Sequence, residues 1–267
     1  MPPRGELSFA LDLARLGGRI ALGHFRRSPR RTLKSDGSWV TEADWAVEAQ
    51  IRLRLARTFP DHNVLGEEEG LTAAGGGPAR AGAPTWVIDP IDATHNYMVG
   101  IPVWATLVAL RVGEKTIVGV VHAPAIEETY DAGRGLGARL NGEAIRVDDV
   151  PSFDEASYFS SGEAAGPSGV GALHHELVAR CWRHRGFGDF WGHMLVARGA
   201  GHVMLEPELN LWDVAALEPI VEEAGGRISG LDGKAWNKGP CLTTCGSLHG
   251  QVLELAHPRP FPGANPK

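Results

Sequence analysis

The chain has 267 residues, of which 43% are hydrophobic, and a formal net charge of -6 at pH 7. This apolar content suffices for one large or two small domains, whereas the negative charge argues against a general nucleic-acid binder. The cysteines Cys181, Cys241 and Cys245 fit no secreted disulfide framework, and no apolar run approaches the roughly 20 residues of a membrane span. We therefore expect a cytoplasmic protein without a membrane or nucleic-acid partner.

The start of the chain predicts two helices with a basic segment between them. Apolar residues near helical spacing predict a first helix over residues 6–25, and Thr41 opens a second that runs to about residue 58. Thr41 and Asp44 resemble a capping box, in which two side chains bond N–H groups of the first turn. The basic segment is typical of a solvated loop, although it would also attract an anionic phosphate. It contains Arg26, Arg27, Arg30, Arg31 and Lys34.

A short strand over residues 63–65 is predicted to present an acidic run. Glu67 follows it directly, in the sequence Gly-Glu-Glu-Glu. We interpret Glu69 as a solvated charge and leave Glu68 open between that role and a functional one. A loop rich in glycine, alanine and proline is predicted over residues 72–84.

Residues 86–97, Trp-Val-Ile-Asp-Pro-Ile-Asp-Ala-Thr-His-Asn-Tyr, organise the rest of the chain. The first three predict a buried strand that stops at Asp89, after which Asp92 and the small residues Ala93 and Thr94 predict a turn into a short helix. Carboxylate oxygens are ligands of hard cations such as Mg²⁺, and N–H groups at a helix start suit a phosphate. The alternative is an ordinary turn followed by an aspartate N-cap.

The remaining elements change in character along the chain. Strands and a hairpin predict an antiparallel sheet, and strands alternating with helices then predict an α/β layer. The first group covers residues 103–112, 116–122, 128–131 and the hairpin 135–142. The second has strands at 157–160, 185–187 and 202–206, helices at 172–182, 189–198 and 212–224, and a loop at 161–171. Asp213, in Leu-Trp-Asp-Val-Ala-Ala, is either a metal ligand or an acid favoured by the helix dipole.

Together, the motifs around Glu67, Asp89–Asp92 and Asp213 resemble those of the inositol monophosphatase family over about residues 7–255. Members of this family are Mg²⁺-dependent, lithium-sensitive phosphomonoesterases that usually dimerise. The resemblance implies an α/β fold, an αβαβα layered sandwich, with an α+β half over residues 1–147 and an α/β half over 148–267.

The resemblance also implies a site with two or three Mg²⁺ ions. One ion would be held by Glu67, Asp89 and the Ile91 carbonyl, a second by Asp89, Asp92 and Asp213, and a weaker third with help from Glu67. Thr94 and Glu67 would position and deprotonate the attacking water, Asp44 would orient Thr94, and the helix start at Ala93 and Thr94 would bind phosphate. Attack would be direct, without a phosphoenzyme. The family has glycine at the position of Ala93, so a positive φ there would be strained.

The substrate is indicated by two short motifs in the second half. Gly188-Asp189-Phe190 and Glu206-Pro207-Glu208 resemble the histidinol-phosphate phosphatase branch. Asp189 and Glu206 would pair with the ammonium and imidazole groups of L-histidinol phosphate, and Trp104 or Phe190 would pack against its ring. Alternatively, Asp189 caps the helix after it and Glu206 binds polyol hydroxyls.

Other functions stay open at this point. The alternative substrates are inositol 1-phosphate, 3′-phosphoadenosine phosphate and a sugar phosphate. A function of another class is a non-catalytic, metal-binding member, for which Ala93 is the motivation. His95, Trp191 and His193 receive no role from the sequence.

Overall fold

Two β-sheets, each covered by helices, make up the fold. The computed structural model describes residues 2–27, 29–34, 37–161 and 170–257. The first half contains α1 (Arg4–His24), β1 (Arg31–Leu33), β2 (Trp39–Thr41), α2 (Glu42–Thr58), β3 (Asn63–Gly66), β4 (Gly70–Ala73), β5 (Thr85–Asp92), α3 (Thr94–Val99), β6 (Ala105–Val112), β7 (Lys115–Ala123), β8 (Glu128–Gly133), β9 (Gly137–Leu140) and β10 (Glu143–Ala144). The second half contains β11 (Ser157–Ser160), α4 (Val170–Arg180), β12 (Arg183–Arg185), α5 (Asp189–Ala197), β13 (Val203–Leu209), α6 (Leu211–Val214), α7 (Leu217–Glu223), β14 (Arg227–Ser229), β15 (Gly239–Thr244) and α8 (His249–Ala256).

The first sheet has eight strands in the order β10-β9-β8-β7-β6-β5-β3-β4. Its neighbours run antiparallel, except that β3 and β5 are parallel, with Asn63 opposite Thr85. The second sheet has five strands in the order β12-β11-β13-β15-β14, and β11 runs parallel to both of its neighbours. The mostly antiparallel first sheet, and the alternation of strands with helices around the second, agree with the expected antiparallel sheet and α/β layer.

Alternation along β5 shows how the layers are built. Trp86 and Ile88 point into a core shared with α1 and α2, whereas Val87 points into a second core shared with α5 and α7. On the far side of α5, Val196 packs against Met204 of the second sheet. Helices α4 and α8 cover the other face of that sheet. The order of layers is therefore helix, sheet, helix, sheet, helix, as the αβαβα expectation states.

Several predicted boundaries differ from those observed. The single helix expected over residues 212–224 is two helices, α6 and α7, because Pro219 has no N–H to donate to residue 215 and instead occupies the first turn of α7. The basic segment contains the hairpin β1–β2, and the loop expected from residue 72 begins inside β4. The strand expected at 185–187 lies earlier, at Arg183–Arg185, where it pairs with β11.

The predicted capping box of α2 is confirmed. Asp44 Oδ2 accepts the backbone N–H of Thr41 at 2.8 Å, and Thr41 Oγ1 accepts that of Ala43 at 3.2 Å.

Two other expectations are not decided. The two sheets separate between Ala144 and Ser157, and the domain boundary after residue 147 stays a prediction. Most of the loop expected at 161–171 lies outside the described residues. Within the described ranges, no helix is both long enough and apolar enough to cross a membrane.

Candidate active site

A β-bulge brings two aspartates to the same place. Strand β5 continues beyond its predicted end at Asp89 and includes Asp92. Between these residues its register with β6 shifts, so that three steps along β5 match two along β6. Residues three apart in a regular strand point to opposite faces, whereas the extra residue lets both carboxylates point the same way. Thr106 donates its hydroxyl to the Pro90 carbonyl at 2.9 Å and so holds the bulge.

Helix α6 adds a third carboxylate to this pair. One oxygen from each of Asp89, Asp92 and Asp213 lies within 4.8 Å of the other two, an arrangement that could hold a metal ion. Oδ2 of Asp213 also accepts the backbone N–H of Asn210 at 2.6 Å in a capping box. Asp213 therefore caps a helix and belongs to the acidic cluster, which we define as Asp89, Asp92 and Asp213.

Burial makes the acidic cluster electrostatically costly without a cation. Loss of solvent raises the pKa of Asp89 and Asp92 well above the ordinary value, with further increases from Glu67 and Asp189 respectively. Burial likewise raises the pKa of Asp213 to about 7. Oδ1 of Asp89 is buried and has no hydrogen-bond partner among the described residues. Closely spaced buried carboxylates with an unsatisfied oxygen fit the ligand set of a divalent cation.

Glu67 is near the acidic cluster but is paired elsewhere. Its charge raises the pKa of Asp89, yet its Oε1 accepts a hydrogen bond from Lys34 Nζ at 2.9 Å. Lys34 also contacts Glu68 Oε1 at 2.8 Å, and the Glu68 side chain is only 1% exposed. Burial raises the pKa of Glu68 to about 7. Glu68 is thus not a solvated charge, whereas Glu69 is half exposed, as expected.

A residue that the sequence did not single out fixes the backbone around Glu67. The buried side chain of Glu48, on α2, accepts the backbone N–H groups of Glu68 and Glu69 and the Nε–H of Arg52. A Cβ on Gly66 would lie only 2.1 Å from Glu48 Oε1, so the close approach requires glycine. The sequence could not assign this role to Glu48, because a buried acceptor on a helix has no local sequence motif.

The turn after the bulge contains the strained conformation that the sequence raised as a possibility. Ala93 has φ 64° and ψ 46°, in the left-handed region.

The hydroxyl of Thr94 and the carboxylate of Asp44 have other partners in this structure. The Thr94 hydroxyl donates to the Ile91 carbonyl at 2.9 Å, and Asp44 Oδ2 accepts the Thr41 hydroxyl at 2.6 Å. Burial raises the pKa of Asp44 to about 6. An Asp44 contact that orients Thr94 therefore stays a prediction.

The two residues expected on the substrate side lie next to each other. Glu206 Oε1 accepts the backbone N–H of Asp189 at 2.8 Å, and burial raises the pKa of Glu206 to about 7. A Cβ on Gly188 would lie 2.7 Å from the Ser161 backbone and 3.3 Å from Glu206 Oε1. Gly188 is therefore required by a close approach, which explains the first residue of the Gly-Asp-Phe motif.

Asp189 is also linked to the acidic cluster. The next residue, Phe190, donates its backbone N–H to Asp92 Oδ2 at 2.9 Å. Gly188, not Asp189, is the N-cap of α5, and among the described residues no side-chain hydrogen bond caps that helix, so the capping alternative for Asp189 is wrong. Burial raises the pKa of Asp189, and the charge of His95 opposes that increase.

A cleft of about 450 Å³ opens beside Asp189. Its lining includes His95, Ser161, Phe187, Asp189 and Trp191. The expectation that Trp104 or Phe190 packs against a substrate ring is wrong, because these side chains are only 0% and 1% exposed. Trp104 instead packs edge-to-face against Tyr97 in the core. The aromatic residues that border the cleft are Phe187 and Trp191, which the sequence left without a role because only their placement identifies them.

Comparison with known proteins identifies the family. The sequence model described as the inositol monophosphatase family matches residues 5–259. The chain belongs to this family. The solved structure of the Thermotoga maritima IMPase is similar to this chain with a TM-score of 0.82 and 30% identity, covering 94% of this chain and 96% of that one. The expected family and fold are thereby confirmed.

Two of the most similar curated relatives carry the same name. The histidinol-phosphatase of Mycobacterium tuberculosis is 40% identical over 256 residues, covering 93% of this chain and 96% of the relative. That of Streptomyces coelicolor is 41% identical over 238 residues, covering 85% and 86%. The resemblance of the Gly-Asp-Phe motif to this branch agrees with these relatives.

Proposed function

We propose that this protein is a Mg²⁺-dependent phosphomonoesterase that hydrolyses L-histidinol phosphate to L-histidinol and inorganic phosphate. The observation that carries the proposal is the position of Asp189, which lines a cleft and directly precedes the residue bonded to Asp92. A phosphate group at the acidic cluster would leave the rest of the substrate in this cleft. The two similar histidinol-phosphatases support the choice of alcohol.

The chemistry of the acidic cluster supports a hard divalent cation. We propose that Glu67, Asp89 and the Ile91 carbonyl hold one Mg²⁺, that Asp89, Asp92 and Asp213 hold a second, and that Glu67 contributes to a weaker third. Oδ1 of Asp89 has no hydrogen-bond partner among the described residues, and the buried Asp89 and Asp92 lie close to the half-buried Asp213, so both observations favour this assignment. When bound, Mg²⁺ would polarise phosphoryl oxygens, make a water molecule more acidic and stabilise the leaving alkoxide.

The neighbouring residues would orient and deprotonate the attacking water. Thr94 would hold the water and Glu67 would accept its proton, with Asp44 orienting the Thr94 hydroxyl. This requires Thr94 to turn from the Ile91 carbonyl that it now contacts, and Lys34 to release Oε1 of Glu67. The N–H groups at Ala93 and Thr94 would bind phosphate oxygens. Water would attack phosphorus directly, without a phosphoenzyme.

The substrate side would recognise positive charge. The Asp189 carboxylate would pair with the ammonium group of L-histidinol phosphate, a group that inositol phosphates lack. Glu206 is almost fully buried, with 3% of the residue exposed, and accepts the Asp189 backbone N–H. We therefore propose that Glu206 mainly fixes the Asp189 segment and adds negative charge behind it.

A second candidate activity is hydrolysis of inositol 1-phosphate. The similarity to the Thermotoga maritima IMPase favours it, and Glu206 would then serve polyol hydroxyls. A third possibility, from another class, is a metal-binding member without catalytic activity, for which the strained Ala93 is the motivation.

A panel of substrates separates these functions. Phosphate release with Mg²⁺ is measured on L-histidinol phosphate, inositol 1-phosphate, fructose 1,6-bisphosphate and 3′-phosphoadenosine phosphate. We expect kcat/KM to be highest for L-histidinol phosphate. A preference for inositol 1-phosphate would overturn the proposed substrate, and no turnover of any compound, with Mg²⁺ binding intact, would favour the non-catalytic member.

Location, assembly and lithium sensitivity are further proposals from the family resemblance. We propose that the enzyme works on a small metabolite in the cytoplasm, as a homodimer inhibited by lithium. Light scattering after size-exclusion chromatography tests the assembly, since a monomeric mass would contradict it. Added Li⁺ in the phosphate-release assay tests the inhibition.

A further inference from the structure

We infer that Trp191, held in place by Glu128, is a specificity-determining wall against which the planar ring of the substrate packs. This inference rests on the proposed function, because it assigns the ring-binding side of the same cleft. It replaces the ring contacts that the sequence assigned to Trp104 and Phe190, both of which are buried.

Trp191 combines core packing with access to the cleft. The side chain is half-buried and packs against apolar residues of α5 and of both sheets. It also lines the cleft, together with Phe187, whose ring centroid lies 5.0 Å away. The two rings are inclined by 55° and so form one aromatic corner. Asp189 lines the same cleft, so a ring at this corner would lie near a negative charge.

Residues of the first sheet help to fix the orientation of the Trp191 indole. Its Nε1–H donates to Glu128 Oε2 at 3.2 Å, and the Tyr130 hydroxyl donates to the same oxygen at 2.8 Å. The second carboxylate oxygen accepts a hydrogen bond from Arg198 Nη1 at 2.5 Å. Glu128 lies on β8 whereas Trp191 lies on α5, so the contact ties the cleft wall to the first sheet.

The chemistry of this corner selects a flat, partly cationic group. Aromatic faces attract cations, and aromatic pairs gain energy from offset or edge-to-face contact. An imidazole ring matches both properties, and the ammonium group next to it would reach Asp189. An inositol ring offers hydroxyls in place of a π face, so it would gain little from Trp191. Glu128, which does not line the cleft, is a positioning residue.

Substitution of Trp191 tests the wall, because loss of a binding contact should raise KM and leave kcat nearly unchanged. Trp191→Leu is compared with Trp191→Phe, and Trp182→Leu serves as the matched control because Trp182 is 64% exposed and outside the cleft lining. For L-histidinol phosphate we expect Trp191→Leu to raise KM about tenfold with kcat nearly unchanged, and Trp191→Phe to restore most of the loss. For glycerol 2-phosphate, which has no ring, KM should not change.

Failure of the wall and failure of the proposed substrate give different results. If the wild type hydrolyses L-histidinol phosphate and Trp191→Leu leaves its KM unchanged, or raises KM equally for glycerol 2-phosphate, the wall is wrong and the proposed function stands. If the wild type rejects L-histidinol phosphate, the proposed substrate is wrong. Fluorescence quenching by L-histidinol then tests the wall without turnover. Loss of quenching in Trp191→Leu but not in Trp182→Leu supports it, and equal quenching in both overturns it.

Discussion

Oε2 of Glu48 accepts the backbone N–H of Glu68 at 2.9 Å, directly after the glutamate that we propose as a metal ligand. The other oxygen accepts the N–H of Glu69 at 3.1 Å. A buried carboxylate on α2 thus binds two consecutive peptide groups of the loop. Glu48 therefore fixes the backbone that follows Glu67, while Lys34 contacts the Glu67 side chain directly.

Replacement of this acceptor should disturb both stability and metal binding. Glu48→Gln replaces one acceptor oxygen by an NH₂ group and leaves a buried peptide N–H unpaired, so the free energy of unfolding should fall by about 1–3 kcal/mol. The Mg²⁺ concentration for half-maximal thermal stabilisation of the folded protein should rise several-fold. Glu69→Gln, at a half-exposed side chain, is the control. A stability loss with an unchanged Mg²⁺ midpoint would reduce Glu48 to a structural role.

Relief of the strained turn should stabilise the protein. Ala93→Gly removes a side chain from a left-handed conformation that costs about 1–2 kcal/mol, while the freer unfolded chain offsets about 0.4–1 kcal/mol. Urea unfolding should show a net gain of up to about 1.5 kcal/mol, with activity preserved or raised. Ala46→Gly, within helix α2, should instead lose about 1 kcal/mol. Equal losses at both positions would mean that the turn has adapted to alanine.

Which features the sequence could predict depends on how far apart along the chain the interacting residues lie. The capping box at Thr41 is a local pattern, so the start of α2 was predictable, whereas the layered fold was expected from the family resemblance. The acidic residues were predictable from motifs and family resemblance. The bulge at Pro90 and Ile91 was not, because it depends on the pairing of β5 with β6. The same holds for Glu48 and Trp191, whose partners lie 20 and 63 residues away.

Asp189 should discriminate between substrates by charge. Asp189→Asn keeps the shape of the side chain but removes the charge, so KM for L-histidinol phosphate should rise about tenfold or more, whereas KM for inositol 1-phosphate should change little. Asp232→Asn, at an exposed position, is the control. Steady-state kinetics on both substrates provide the measurement, and equal losses would point to a structural contribution from Asp189.

The buried His193 should make the protein sensitive to acid. Burial lowers the pKa of His193 to about 3, and the ring bonds Thr243 Oγ1 at 2.7 Å. Between pH 6.5 and about 3 the unfolded chain binds a proton that the folded protein excludes, so stability falls as the pH falls. Relative to His193→Gln, the wild type should lose up to about 1.4 kcal/mol per pH unit well below pH 6.5.

Urea unfolding of both proteins at several pH values between 7 and 4 measures this difference. The control is Met194→Leu, a buried substitution on the same helix that changes no titrating group. Its difference from the wild type should be independent of pH. A His193→Gln difference that is equally constant would show that the imidazole binds its proton as readily in the folded protein as in the unfolded chain.

The most direct test of the account is the effect of Asp89→Asn on Mg²⁺-dependent phosphate release from L-histidinol phosphate. Asp89 contributes to both proposed strong metal positions, and its buried Oδ1 has no hydrogen-bond partner in the part of the chain that the structure describes. We expect that the variant folds, loses turnover by at least about a thousandfold and is no longer stabilised against heat by Mg²⁺. A folded variant with near-normal turnover, or with undiminished stabilisation by Mg²⁺, would contradict the assignment of the acidic cluster as the catalytic metal site.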